Sequence, residues 1–336
     1  MRHPSPRMRD RFRISPHVYF VISGVALVAL TLIVFTGAAV RVTGSGLGCP
    51  SWPNCYNDGR LVAETNSHAL IEFGNRVLTS FVGFAAAAAG LLAFFRRPFR
   101  RDLAILGMVL PFGVVAQAVV GGLTVVYGLA PGFVMGHYAL SAAILIAAGA
   151  LAWRAHPGFD PAAGVTVDRA TARGVWAMFV LGAVTLAVGT AATAAGPHAG
   201  ASGTGEVVHR LDFYGGSTLT WLINRHGVLA GALGLLAVGT WWLARRGGAP
   251  SEMRQRLTRI CLLMALQGVI GIVQYRLKLP AEIVWVHVAL ATLLWVGIVL
   301  AAAQVGVPWR AAADETAEAA LSAAPAGGAP ASAARS

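Results

Sequence analysis

Long apolar stretches follow one another along most of this chain and are separated by shorter polar connections. A helix needs about 20 predominantly apolar residues to cross the hydrocarbon core of a bilayer. Stretches of about that length are residues 18–40, 70–95, 102–126, 133–153, 174–195, 217–243, 258–276 and 282–304. The short alternating strands that a membrane-spanning barrel requires are absent. The pattern therefore predicts an all-α membrane protein with eight transmembrane helices.

Composition and charge support this prediction. Only 12% of the residues are charged and 56% are hydrophobic, whereas soluble proteins carry about 25% charged residues. Of the 26 Lys and Arg residues, 19 lie in the two tails or in alternate connections. Because basic residues concentrate in cytoplasmic loops, we expect a multi-pass protein of the cell membrane with both termini in the cytoplasm. The net charge of +12 is then a topological signal, and no nucleic-acid-binding motif accompanies it.

A 24-residue segment occurs twice, at an offset of 150 residues. Residues 117–140 read QAVVGGLTVVYGLAPGFVMGHYAL, and residues 267–290 read QGVIGIVQYRLKLPAEIVWVHVAL. The identical positions include the pairs Gln117 and Gln267, Gly121 and Gly271, and His137 and His287. A weaker echo, at an offset of 151, places Asn75 on His226. We therefore expect two tandem four-helix bundles in the same orientation.

This repeat predicts a division of the chain into five parts. The parts are a cytoplasmic tail at 1–17, an N-terminal half at 18–153, a cytoplasmic linker at 154–173, a C-terminal half at 174–304 and an Ala/Gly/Ser/Pro-rich tail at 305–336. The composition of the last part is typical of disorder.

Three histidines fall at one depth of this topology, toward the outer side. Zinc takes four ligands in a tetrahedral arrangement, and the chain offers no local ligand pair for it. Haem needs only one or two axial imidazoles, which helix bundles supply from facing helices. The pattern favours haem, with His226 opposite His287 in the second half and His137 opposite Asn75 in the first. Structural and transport roles are the alternatives.

Two further groups lie at the same outer end. Cys49 and Cys55 share the loop CPSWPNC, where they form either a structural disulfide or a redox-active dithiol. Glu72 and Arg76 lie one turn apart at the start of the second helix, and Asn75 shares the face of Glu72. An ionisable residue inside a membrane helix is costly. Glu72 is therefore either a functional group or only the partner of Arg76.

Together these motifs resemble the haem A synthase family. The resemblance covers residues 18–304 and rests on TGSGLGCPSWPNC after the first helix, on IEFGNR in the second and on the single histidines at 137, 226 and 287. It implies an enzyme that oxidises the C8 methyl of haem O to a formyl group by successive hydroxylations, giving haem A. It also implies a haem b in the C-terminal half as electron-transfer cofactor and the substrate haem in the N-terminal half.

The same resemblance implies a role for each motif residue. His226 and His287 become the axial ligands of haem b, and His137 becomes a ligand of haem O. Glu72 becomes the catalytic residue near the reacting methyl. The remaining assignments are Arg76 beside a haem propionate or Glu72, and Cys49 and Cys55 as the outer-loop cysteine pair. Haem O, the lipid bilayer, a haem O synthase and an electron donor or acceptor are the implied partners.

One departure from the family pattern bears on function. Asn75 stands where the pattern has a second N-terminal histidine, and an asparagine carbonyl is a poor iron ligand. The substrate haem is then bound through His137 alone, or the chain has lost its activity. The rival functions are a non-enzymatic haem carrier or assembly protein of the same fold, a quinone-oxidising membrane cytochrome and a transporter without a cofactor.

Overall fold

The computed structural model describes residues 13–58, 66–160, 167–200 and 208–306. Within these ranges there are eight long helices, each apolar enough to cross a membrane. They are α1 (Pro16–Val42), α2 (Ser67–Leu92), α3 (Arg101–Val126), α4 (Pro131–Ala155), α5 (Arg169–Ala195), α6 (Thr218–Arg246), α7 (Ser251–Arg276) and α8 (Ala281–Val305). The predicted all-α membrane protein with eight spans is confirmed.

Several helices begin at side chains suited to cap them. The Ser15 hydroxyl accepts a hydrogen bond from the Val18 amide at the start of α1, and Pro16 follows it. Asn66 caps α2, and Asp168 caps α5 by accepting from the Thr171 amide. Such caps satisfy backbone donors that a helix start leaves without partners.

The helix ends differ from the predicted ones where polar residues continue a helix. The largest difference is in α7, which begins at Ser251 rather than at residue 258. Five of residues 251–257 are charged or polar, so apolar length alone misses this segment, but most of its residues are good helix formers. The predicted linker is likewise shorter at both ends, because α4 continues to Ala155 and α5 begins at Arg169. Most of the two predicted tails, residues 1–12 and 307–336, lies outside the described residues.

The helix contacts form two closed groups. In the first, α1 packs against α2 and α4, and α3 packs against α2 and α4. In the second, α5 packs against α6 and α8, and α7 packs against α6 and α8. Between the groups, α8 contacts α4 and α1, and α4 contacts α5. Each group therefore surrounds its own interior, with α4 and α8 at the contact between them.

Small residues and tryptophans hold the two groups together. A Cβ atom added to Gly149 of α4 would lie 2.6 Å from a methyl group of Val299 on α8, so these helices approach closely. The indole of Trp295 on α8 donates a hydrogen bond to the Ala142 carbonyl of α4 at 3.0 Å. The indole of Trp285 donates to the Phe35 carbonyl of α1 at 2.9 Å. These contacts fix α8 against the first group.

Candidate functional site

The turns inside the two repeated segments have the same backbone. Leu129 and Leu279 both have positive φ, at 57° and 64°. The Leu129 amide donates to the Thr124 carbonyl at 2.7 Å, and the Leu279 amide donates to the Gln274 carbonyl at 2.7 Å. The sequence repeat is therefore a repeat of local structure. It sets α4 and α8 to begin in the same way.

Each repeated histidine is placed by the same two neighbours. His137 and His287 are the seventh residues of α4 and α8. The amide of Gln117 donates to the His137 carbonyl at 2.9 Å, and that of Gln267 donates to the His287 carbonyl at 3.0 Å. A glycine lies against each imidazole. A Cβ added to Gly121 would lie 3.1 Å from Cε1 of His137, and one on Gly271 would lie 3.3 Å from Cε1 of His287. The sequence showed the glutamines as repeated positions but not this contact.

His226 and His287 come together across the interior of the second group. Their ring centroids are 6.1 Å apart and their planes are inclined by 70°. Metal–imidazole bonds are about 2 Å long, so two rings that flank one metal have centres roughly 6 Å apart. The pair therefore has the spacing that one haem iron requires between two axial ligands.

The ring nitrogens of the pair also suit ligation. Nδ1 of His226 lies 3.1 Å from the Thr185 carbonyl, which can only accept, so Nδ1 carries the hydrogen and Nε2 keeps its lone pair. A backbone carbonyl on the distal nitrogen is a common arrangement for metal-binding histidines. Nδ1 of His287 is buried and has no hydrogen-bond partner in the described part of the chain. The Cε1 edge of the His226 imidazole faces Gly189, because a Cβ there would be 2.7 Å from Cε1.

His137 behaves like His287 and unlike a structural histidine. Its Nδ1 is buried and also lacks a hydrogen-bond partner among the described residues. His198 provides the contrast, because its Nε2 is 2.7 Å from the Leu279 carbonyl and so bridges two connections. Within the same ranges, the Nδ1 atoms of His137 and His287 make no such bridge. Both rings are thus suited to bind a ligand.

In the first group, the position that corresponds to His226 is occupied by Asn75, which has no imidazole. Asn75 of α2 lies within hydrogen-bond distance of α1, where the Thr36 hydroxyl donates to its Oδ1 at 2.7 Å. Gly37 lies near the end of α1, 152 residues before Gly189, which lies near the end of α5. A Cβ added to Gly37 would have no atom within 4 Å. The side chain of Asn75 thus leaves a space beside Gly37, whereas the imidazole of His226 fills the corresponding space beside Gly189. Within the described residues, three or more His, Cys, Asp or Glu side chains nowhere form a group that could hold a metal ion.

Glu72 and Arg76 attach the cysteine loop to α2. Oε1 of Glu72 accepts from Arg76 at 2.6 Å, and Oε2 accepts from the Cys49 amide at 2.8 Å. The Arg76 guanidinium also donates to four carbonyls of the loop, those of Ser51 at 2.9 Å, Asn54 at 3.3 Å, and Pro53 and Cys49 at 3.4 Å. Glu72 is buried, so this ion pair is shielded from water. The pairing expected between Glu72 and Arg76 is present, and it extends to the loop.

The cysteine loop is closed by a disulfide between Cys49 and Cys55. Both cysteines are buried, and they pack against Ala69 of α2. Trp52, between them, lies over Gly122 of α3, where a Cβ would be 2.6 Å from its indole ring. Gly122 follows the glycine that contacts His137. The loop therefore covers the end of the first group at which α2 begins, a role for Trp52 that the sequence did not indicate.

The fold and the site together define a class of protein. It is a multi-pass membrane protein in which imidazoles project into the helix groups near one end of α4, α6 and α8.

Residues 20–67 and 59–204 match the COX15-CtaA family, described as cytochrome oxidase assembly protein. The matches span more than half of the chain, and the chain belongs to this family. The matched region contains Cys49, Glu72, Asn75 and His137. The pair formed by His226 and His287 lies beyond it and rests on its own geometry.

Curated relatives add a second comparison. The chain is 32% identical over 117 residues to a heme A synthase of Lysinibacillus sphaericus. The aligned region covers 34% of this chain and 38% of that protein. It is 32% identical over 122 residues to heme A synthases of Listeria welshimeri and Listeria monocytogenes, which covers 36% of this chain and 40% of each. The matches thus span about two fifths of the relatives' length.

Proposed function

We propose that this protein is a haem A synthase, an oxidoreductase that converts the C8 methyl of haem O to a formyl group by successive hydroxylations. The observation that carries the proposal is the facing pair of His226 and His287, with ring centroids 6.1 Å apart. Membership of the cytochrome oxidase assembly family and similarity to heme A synthases support it. The membrane setting suits haem O, whose isoprenoid tail belongs in lipid.

The two groups of helices have different tasks in this proposal. They form two tandem four-helix bundles in the same orientation, with both termini in the cytoplasm. The matched turns, the matched glutamine–histidine contacts and the two closed contact groups support the tandem arrangement. The C-terminal bundle holds haem b, and the N-terminal bundle holds the substrate.

His226 and His287 would hold the iron of haem b between their imidazoles. When bound, haem b supplies electron transfer between the substrate site and an outside donor or acceptor. Gly189 and Gly271 give the Cε1 edges of the imidazoles room to approach α5 and α7 closely. Gln267 holds the helix backbone at His287 through its carbonyl. These residues fix both rings before any ligand arrives.

His137 is the ligand of haem O in the N-terminal bundle. Asn75 is turned toward Thr36 and leaves the opposite side of the substrate without a strong ligand. The disulfide loop, with Trp52 over Gly122, excludes water from the outer end of this bundle. The cysteine pair has a structural role here.

Glu72 is the catalytic carboxylate near the reacting methyl. Its oxygens accept hydrogen bonds from Arg76 and from the Cys49 amide, and the Gly48 amide adds a further contact. A carboxylate has about four acceptor sites, so it retains one for a water or a proton. Arg76 stabilises the charged carboxylate and holds it in place, because it donates to Oε1 and to four carbonyls of the loop. Glu72 therefore holds a proton-accepting oxygen at a fixed position within a buried site.

One observation favours a second candidate, a haem-binding carrier or assembly protein without catalysis. Asn75 replaces a ligand, and its oxygen is already engaged by Thr36. Expression in a host that makes haem O but no haem A, followed by chromatography of the extracted haems, distinguishes the two. The synthase yields a formyl-bearing haem. The carrier yields haem b and unchanged haem O.

A further inference from the structure

An open cavity of about 580 Å³ lies between the end of α6 and the start of α7, at the end of the protein opposite the histidines. It is lined by Arg245, Ser251, Arg254, Gln255, Thr258 and Arg259. Three guanidinium groups and two hydroxyls thus surround one space. In the described part of the chain, no acidic side chain lines it. The proposed haem chemistry uses none of these residues.

The three arginines of the cavity are not paired with carboxylates. Among the described residues, no salt bridge is formed by Arg245, Arg254 or Arg259. Arg256, on the same helix, is engaged elsewhere: it donates to Gln304 at 3.0 Å and lies over the Trp153 ring. The cavity therefore concentrates positive charge that the described residues leave uncompensated.

The corresponding connection of the first group lacks this feature. There Arg100 forms a salt bridge with Asp102 at 2.6 Å, and Arg154 approaches the same carboxylate at 3.6 Å. At the offset of 150, the positions of Arg254 and Arg259 are occupied by Ala104 and Val109. The open arginine cavity thus belongs to the second repeat and is not a consequence of the repeated architecture.

Two apolar stripes run from the cavity along the membrane-facing sides of its helices. On α6, Trp242, Val238 and Leu235 share the face of Arg245 and are 46%, 54% and 78% exposed. On α7, Leu262, Leu266 and Val269 share the face of Arg259 and are 65%, 46% and 57% exposed. Trp241 and Trp242 each lie under an arginine one turn onward. Tryptophan and arginine together are typical of the headgroup level of a membrane.

We propose that this cavity binds the phosphate headgroup of an anionic glycerophospholipid, with the acyl chains along the two apolar stripes. Arginine forks and hydroxyls are suited to phosphate oxygens. A zwitterionic lipid carries a choline or ethanolamine cation that the three arginines would repel, so the cavity selects lipids with net negative charge. Basic pockets between membrane helices recognise anionic headgroups in this manner.

The test measures lipid retained by the purified full-length chain. The chain is reconstituted in nanodiscs of equal parts phosphatidylglycerol and phosphatidylcholine, extracted in detergent, and its bound lipid is identified by native mass spectrometry. The variant Arg254→Gln/Arg259→Gln removes two charges from the cavity. The matched control Arg101→Gln/Arg173→Gln removes two charges from exposed arginines of α3 and α5, which do not line the cavity.

We expect the wild type and the control to retain phosphatidylglycerol in preference to phosphatidylcholine. We expect the cavity variant to lose about tenfold of that preference, and Arg254→Lys/Arg259→Lys to recover part of it. Equal retention by the cavity variant and the control overturns the proposal. The proposal is also overturned if added pyrophosphate binds at this cavity and the retained lipid is not displaced. The ligand of the cavity is then a soluble anion. The readout does not depend on haem, so it stands apart from the fate of the proposed function.

Discussion

Asn75 occupies in α2 the place that His226 occupies in α6, because each is the ninth residue of its helix. The two side chains have different partners. The Asn75 oxygen accepts a hydrogen bond from the Thr36 hydroxyl at 2.7 Å. His226 donates through Nδ1 to the Thr185 carbonyl, so its Nε2 keeps its lone pair. One group of helices can thus offer two imidazoles, and the other offers one. This difference is the reason that the proposed function assigns the cofactor to the group with two facing imidazoles and the substrate to the group with Asn75.

Replacing Asn75 by His is expected to close the substrate site with a second ligand. The space beside Gly37 is open, so an imidazole fits there as it does in α6. The variant is expected to retain about two haems per chain after purification, one for each pair of imidazoles, and to convert haem O more slowly. Haem content by absorbance against protein concentration checks the first point. Asn75→Gln serves as the control, and unchanged haem content in Asn75→His would contradict the assignment of the position.

Gly189→Ala is expected to displace His226. The new methyl would lie 2.7 Å from Cε1 of the imidazole, too close for the ring to stay. Overpacking of this kind costs roughly 1–3 kcal/mol, so haem b affinity is expected to fall about tenfold or more. The matched control is Gly37→Ala, which meets no atom within 4 Å. Equal haem b content in the two variants would show that the ring does not hold the cofactor.

His226→Ala and His287→Ala are each expected to abolish haem b binding while leaving the chain folded. The two imidazoles act as one site, so the double variant should be no worse than either single one. Haem extraction from purified protein gives the result directly. His209→Ala, in the exposed outer connection, is the control and should keep its haem. Retention of haem b in either single variant argues for a different ligand.

Substitutions of Glu72 and of Arg76 are expected to have different effects. Glu72→Gln keeps an oxygen for the Cys49 amide but cannot hold a charge, so the loop should stay in place while conversion of haem O falls by about 10²-fold or more. Arg76→Gln removes donors to four loop carbonyls and should loosen the loop, with faster proteolysis near Trp52. If Glu72→Gln shows full conversion, Glu72 is only an anchor of the loop.

The sequence predicted the parts of this protein that short-range patterns determine. Apolar length predicted the eight helices. The repeat predicted that His137 and His287 lie at the same position near the starts of α4 and α8. It missed the start of α7, because helix formation continues through polar residues outside the apolar stretch.

Contacts between distant segments were harder to predict. The glutamines were visible as repeated letters, yet their bonds to histidine carbonyls require the packing of neighbouring helices. The position of Trp52 over Gly122 depends on the fold of the disulfide loop. The attachment of that loop through Arg76 depends on backbone carbonyls, which carry no sequence signal.

Conversion of haem O is the property on which the other assignments depend, and the mass of the haem extracted from cells measures it most directly. The chain and its His137→Ala and Glu72→Gln variants are expressed in a host that makes haem O and no haem A, and the extracted haems are separated by chromatography. We expect a formyl-bearing haem with the unaltered chain, and unconverted haem O with both variants despite normal haem b. Haem b and unconverted haem O with the unaltered chain would contradict the proposed function and leave a haem-binding protein without catalysis.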